Sequence, residues 1–155
     1  MPKIYIETSF VSYLVARPSR DLLMAARQQI TIEWWDRERP NHELYTSDVT
    51  LQEAERGDPA EGAKRIAVLT RLNSLAVPDA ARQLAELLIN QHALPEKAGL
   101  DALHIAVATI HGMDYLLTWN CKHIANVTMR GLIERTCRQA GYQPPAIATP
   151  EEFGV

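Results

Sequence analysis

Short apolar runs of strand character alternate with stretches of helical periodicity along almost the whole chain, and this alternation limits the fold more than any other feature of the sequence. Residues 3–6, 44–46, 74–77, 115–118 and 146–148 read as strands. Between them lie helical stretches. Residues 9–14 read as a short helix, and 20–39 as a long one with Ser19 as its cap and Leu23, Ala26, Ile30 and Trp34 as its inward stripe. Residues 48–56 read as a helix closed by Gly57, and 59–72 as one with Asp58 as cap and Pro59 at its first position. A helix over 79–90 is capped by Asp79. The most apolar helix follows Pro95 and Glu96 and ends near Gly112, with Leu100, Leu103, Val107 and Ile110 facing inward. The last long helix runs over 128–140 and stops at Gly141, and Thr149-Pro150 opens a terminal turn. Strands separated by helices cannot pair as hairpins, so they pair side by side in one direction. The expected architecture is a three-layer α/β/α sandwich with a mainly parallel sheet. The 155 residues read as a single domain, 1–155, with no internal repeat or linker.

Composition narrows the function classes. The net charge is −3 and the pI about 5.9. A chain that binds nucleic acid through its overall field is usually basic, so any contact with RNA or DNA must use a local patch or a metal. The two cysteines, Cys121 and Cys137, form no C-x-x-C pair and read as reduced thiols of a cytosolic protein. The first residues run straight into a strand with no leader pattern, and no apolar run approaches membrane-spanning length. The phosphate-cradling patterns G-x-x-x-x-G-K and G-x-G-x-x-G are absent, which disfavours a nucleotide-binding or phosphotransfer protein.

Open parallel sheets bind ligands at the carboxyl ends of their strands. Glu7 follows the first strand, Glu53 lies in the helix after the second, Asp101 begins the apolar helix and Asn120 lies just beyond the fourth strand. Carboxylates gathered at one edge repel each other unless a cation holds them, and oxygen-only donors favour Mg²⁺ or Mn²⁺ over zinc. Each residue alone has a plainer explanation. Thr50 and Glu53 have the spacing of a capping box, Asp101 pairs with Lys97 or is solvated, Glu7 is a strand end and Asn120 a turn residue. Only their common placement favours a site.

That placement resembles the PIN-domain family, in particular the ribonuclease toxins of toxin–antitoxin pairs of the virulence-associated protein C type. The stretches that carry the resemblance are IYIETSFVSYL, LYTSDVTLQEAERG, DALHIAVATIHGMDYLLTWNCKHIAN and IATPEEF, which together run nearly end to end. The resemblance implies Mg²⁺- or Mn²⁺-dependent cleavage of RNA to 5′-phosphate and 3′-hydroxyl ends, a homodimer and a cognate antitoxin. It places Glu7, Glu53 and Asp101 at the three acid positions and Thr8 and Ser9 at the hydroxyl positions that orient the first acid or a water. Asn120 falls where the family often has a fourth acid, and the first acid, usually Asp, is here Glu7. Both departures weaken attraction for a hard cation, since Asn120 brings no charge and Glu7 adds a rotatable bond.

On this reading Glu7 and Asp101 hold the metal, with Asn120 beside them, and Glu53 holds it or takes the proton of the attacking water. Arg17, Arg20, Lys122 and His123 are candidate RNA contacts, each also explicable as solvated surface. His104, one turn past Asp101, reads as a hydrogen-bonded, half-buried histidine. Asp114 precedes the fourth strand and reads as a turn residue at the far end of the sheet. Of the adjacent Trp34 and Trp35, one packs inside and the other marks a dimer or partner surface. The alternative function is a degenerate PIN domain that binds protein or RNA without cutting.

Overall fold

The structure is a computed structural model and describes residues 1–153. Its strands are β1 (Lys3–Ile6), β2 (Glu43–Ser47), β3 (Asn73–Leu75), β4 (Tyr115–Leu117) and β5 (Ala146–Ala148). Its α-helices are α1 (Thr8–Val15), α2 (Leu22–Glu38), α3 (Asp48–Ala54), α4 (Pro59–Leu69), α5 (Asp79–Asn90), α6 (Gly99–Ile110) and α7 (Val127–Gln139). The five strands form one sheet in the order β3-β2-β1-β4-β5, and every pairing is parallel. The expected three-layer sandwich is thus present.

Alternation along the strands sorts the two layers. Ile4, Ile6 and Leu117 point to the face covered by Phe10, Val11 and Trp34 of α1 and α2, with Leu69 of α4. Tyr5, Leu116 and Ile147 point to the other face, against Leu84 and Leu88 of α5, Ile105 of α6 and Ile133 of α7. A one-residue slip of β1 would exchange these faces, so its register, Tyr5 opposite Tyr45 and Leu116, is strongly held.

Two expected helix faces differ from those observed. In α2 the buried residues are Gln28, Thr31 and Trp34, while Leu22 and Leu23 are exposed and Ile30 only partly covered. The polar face is buried because it has partners there. Gln28 Nε2 donates to the Arg17 carbonyl at 2.8 Å, and the Trp119 indole donates to Thr31 Oγ1 at 2.7 Å. The cap of α2 is Asp21, which accepts from Met24 N, and not Ser19. In α6 Leu100 is exposed, and nearly all of the remaining turns, from Ala102 to Thr109, are buried. A helix that is apolar on nearly all sides is buried all round and has no single stripe. Two smaller corrections concern caps. Asp79 is the first residue of α5 and Pro78 its cap, without a side-chain bond. The Thr50–Glu53 capping box does not form, because α3 starts at Asp48 and both side chains bond elsewhere. Trp34 is the tryptophan packed inside, and Arg39 lies over the ring of Trp35 at 4.8 Å.

The end of α5 carries the one non-glycine residue with positive φ among the described residues, His92 at 62°. The Ala93 N–H donates to the Leu88 carbonyl at 2.9 Å, the long return bond that ends a helix on a left-handed residue. An L side chain there costs about 1–2 kcal/mol, which glycine avoids apart from its greater freedom when unfolded. His92→Gly should therefore raise stability by about 0.5–1 kcal/mol in urea or thermal unfolding.

Candidate active site at the carboxyl edge of the sheet

Strand order reverses direction about β1. The chain steps outward to β2 and β3 on one side and then to β4 and β5 on the other, so a crevice opens at the carboxyl ends of β1 and β4. Glu7 sits at that point. It is the cap of α1, accepting at Oε2 from the Ser9 N–H at 2.8 Å, and so lies in the favourable field of the helix N-terminus. Its Oε1 accepts from Ser9 Oγ and Thr118 Oγ1, both at 2.6 Å. Although only 4% exposed, the carboxylate is fully provided with donors.

Glu53 reaches the same edge from α3. Its Oε1 accepts from Thr8 Oγ1 at 2.6 Å and from His104 Nε2 of α6. Thr8 therefore orients the second acid, and Ser9 the first. His104 is fully buried, not half-buried, and its Nδ1 lies 2.8 Å from the Tyr5 hydroxyl. That hydroxyl also touches Ser47 Oγ at 2.7 Å and Thr50 Oγ1 at 3.2 Å.

Asp101 lies one turn before His104 on α6. Asn120 Nδ2 donates to its Oδ1 at 3.0 Å, and His123 Nδ1 lies 2.8 Å from its Oδ2. These partners stand in place of both plain alternatives, solvation and a pairing with Lys97. Asn120 is tied back to β4 through its N–H to Thr118 Oγ1 at 2.9 Å, and its Oδ1 accepts from the His123 N–H at 3.1 Å. Glu7, Thr118, Asn120 and Asp101 are thus joined in one hydrogen-bonded chain. Thr8, next to Glu7, brings in Glu53.

The basic candidates stand otherwise. His123 is engaged with Asp101. Lys122 and Arg20 are exposed, and Arg17 is exposed and 3.6 Å from Glu61. Asp114 lies at the opposite edge, accepting at Oδ2 from the Lys3 N–H at 2.8 Å. The sequence reading missed Thr118 and Trp119. The Trp119 N–H donates to Ser9 Oγ at 2.8 Å, and Arg27 of α2 lies over its ring at 5.2 Å. Their only signal is position, Thr118 as the last residue of the expected fourth strand and Trp119 just beyond it, beside the switch point.

The donor set is oxygen-rich and suits a hard divalent cation in chemistry. In arrangement it is sparse. Among the described residues no three His, Cys, Asp or Glu side chains gather closely enough to hold one ion. A cation at this edge would therefore draw on fewer than three carboxylates, completed by neutral oxygens such as the Asn120 amide.

Burial alone would lower the pKa of His104, but the Tyr5 hydroxyl, Glu53 and Glu7 outweigh it and push it up to about 10 from an ordinary 6.5. Burial likewise raises Glu53, and His104, Thr8 and Arg56 reverse this, leaving it below its ordinary 4.5. A raised histidine contributes stability fully below its ordinary value and loses it through its folded one. A lowered carboxylate contributes above its ordinary value and loses it on acidification. The pair's contribution is therefore complete between pH 4.5 and 6.5 and declines towards pH 10. Wild-type Tm should fall along that alkaline limb, and Glu53→Gln, which removes the pair's charge, should flatten it in melts taken pH by pH.

A comparison with curated proteins gives no match. Solved structures of similar fold do exist. VapC20 of Mycobacterium tuberculosis, described as a sarcin–ricin loop cleaving toxin, matches with a TM-score of 0.60 at 19% identity over 92% of this chain and 99% of that one. VapBC2 of Rickettsia felis, bound to a DNA fragment from its promoter, matches with a TM-score of 0.58 at 13% identity over 95% and 98%. VapBC-5 of Mycobacterium tuberculosis, from a toxin–antitoxin system, matches with a TM-score of 0.52 at 16% identity over 96% and 98%. At the level of sequence, residues 4–123 match the family profile of the PIN domain, and the chain belongs to that family.

Proposed function

We propose that this protein is a metal-dependent endoribonuclease acting as the toxin of a toxin–antitoxin pair. The observation that carries the reading is the delivery of Glu7, Glu53 and Asp101, from three distant segments, to one sheet edge at the topological switch point. Membership of the PIN family and the likeness of fold to a toxin described as cleaving the sarcin–ricin loop support it.

Glu7 and Asp101 would hold Mg²⁺ or Mn²⁺, with Asn120 contributing its amide oxygen. When bound, the ion supplies Lewis-acid activation of phosphate and water. The chain's own residues do the rest. Ser9 and Thr118 fix the Glu7 carboxylate, and Asn120 and His123 fix Asp101. Among the described residues no donor occupies Oε2 of Glu53, so that oxygen is open to hold the attacking water or take its proton. Lys122, Arg17 and Arg20 are exposed cations available to the RNA backbone.

Protein partners belong to the same reading. Leu22, Leu23 and Met24 form an exposed apolar run at the start of α2, 88%, 62% and 45% accessible. Apolar clusters of this kind mark contact surfaces, and we assign this one to a second copy or to a cognate antitoxin. No helix of the described residues is long and apolar enough to cross a membrane, and the protein is proposed to act in the cytoplasm. A second reading, a PIN domain that binds RNA or protein without cutting, is favoured by the sparse gathering of carboxylates.

Incubation of mixed RNA with Mg²⁺, Mn²⁺ or EDTA separates the two. The expected result is metal-dependent cleavage, faster with Mn²⁺, and Asp101→Asn should cut it by about 100-fold or more without unfolding the chain. Mixed RNA left intact by the wild-type protein under every metal would overturn the nuclease reading in favour of the binding module.

Asn120→Asp tests the fourth position with two readouts. It removes a donor to Asp101 and sets two carboxylates side by side, so the metal-free protein should lose about 2 kcal/mol of stability. The added charge should tighten Mn²⁺ binding by about tenfold in calorimetry. Unchanged affinity would place Asn120 outside the metal's reach. Light scattering at about 10–50 μM, where a dimer of about −8 kcal/mol is populated, should give the mass of a homodimer; a monomer there would count against it.

A further inference from the structure

We propose that His104 is a positioning residue for the reaction, holding Glu53 in place from inside the core. The proposal rests on the reading that Glu53 serves the site.

Both ring nitrogens of His104 are engaged, and its environment settles what each does. An ionised carboxylate only accepts, so the Nε2 facing Glu53 Oε1 carries a proton. Nδ1 faces the Tyr5 hydroxyl at 2.8 Å, and that hydroxyl has Ser47 Oγ at 2.7 Å as a further partner. Tyr5 and Ser47 belong to neighbouring strands β1 and β2, so the histidine is referenced to the sheet itself. The ring is 0% exposed and meets the Tyr5 ring edge-on, with centroids 5.8 Å apart. A buried ring bonded at both ends has no room to turn.

The hydrogen bonds on Glu53 are unevenly distributed. Thr8 and His104 both donate to Oε1. Glu7 and Asp101, by contrast, use both oxygens on protein donors. Glu53 alone of the three is gripped by one oxygen and open at the other. A carboxylate on a two-methylene stem keeps several rotamers when partly exposed, and selecting one of them is what the grip at Oε1 achieves. Donors placed this way behind a functional side chain typically contribute 10–100-fold to affinity or activity. Burying an unpaired imidazole would be costly, so the core also gains from the pair. The experiment therefore needs a readout that packing alone would not move.

The two natural isosteres separate the ring's ends. His104→Gln keeps a donor near the Nε2 position, and His104→Asn keeps only the Nδ1 side. On full-length protein confirmed folded by circular dichroism, cleavage of a fluorescently labelled single-stranded RNA in Mn²⁺ should show kcat down 10–100-fold in His104→Asn with KM within about twofold, and substantial recovery in His104→Gln. Without metal, NMR of ¹⁵N-histidine-labelled protein should show a downfield, slowly exchanging Nε2–H that is lost in Glu53→Ala. Combining His104→Asn with Glu53→Gln should cost no more than Glu53→Gln alone. Equal loss in the Asn and Gln variants, or a ring N–H indifferent to Glu53, would overturn the proposal. An inactive Glu53→Gln beside a fully active His104→Asn would overturn it while leaving the nuclease reading intact. Wild-type cleavage by Glu53→Gln would remove Glu53 from the reaction and the proposal with it.

Discussion

One nearly inaccessible carboxylate, that of Glu7, ties together the end of β1, the first turn of α1 and the end of β4. An ionised carboxylate left without donors in such a place would cost several kcal/mol. Here the helix N-terminus and two hydroxyls supply them. The rest of the edge is built outward from this point. Thr118, which donates to Glu7, also accepts from the Asn120 N–H, and Asn120 in turn holds Asp101. Ser9, which holds Glu7, receives the Trp119 N–H, and Trp119 reaches α2 through Thr31. The loop after β4 is therefore placed by side chains from the beginning of the chain.

The three acids are held in different ways, and on the proposed reading the differences suit different tasks. Glu7 and Asp101 are clasped at both oxygens by neutral donors or by a histidine, which stabilises negative charge in a fixed place before any ligand arrives. Such arrangement in advance is what electrostatic catalysis requires, because no reorganisation is then needed during the reaction. The same clasping limits how closely the carboxylates approach one another. The neutral Asn120 fits this design, since it donates to Asp101 where an aspartate would repel it.

Much of this was legible in the sequence where the governing rule is local. Strand positions, the parallel sheet, the Asp58-Pro59 helix start and the stops at Gly57 and Gly141 all follow from neighbouring residues. So did the delivery of Glu7 and Asn120 to one edge, because strand ends are readable. The misreadings share a cause. Apolarity points Leu23, Ala26, Ile30 and Trp34 of α2 inward, yet Gln28 and Thr31 are buried because partners distant in sequence satisfy them, while Leu22 and Leu23 face outward. The capping-box spacing of Thr50 and Glu53 is real, but Glu53 bonds a histidine 51 positions away, and no local pattern announces that. His104 looked like an ordinary core histidine for the same reason. For Asp101 the sequence offers solvation or the nearby Lys97, and the fold supplies Asn120 and His123.

The order of strands has a consequence for synthesis. β1, the first of the five strands to be made, finds β4 only after more than a hundred residues, since Glu7 bonds Thr118 across 111 positions. β4 is itself an inner strand, flanked on its far side by β5 at Ala146–Ala148. Pairings so distant must wait for the chain that makes them. A ribosome-bound nascent chain can therefore form α1 and α2 early, but it cannot assemble the edge that carries Glu7, Asp101 and Asn120 until the fourth strand has emerged. The edge therefore exists only once residues up to Thr118 and Asn120 have been made.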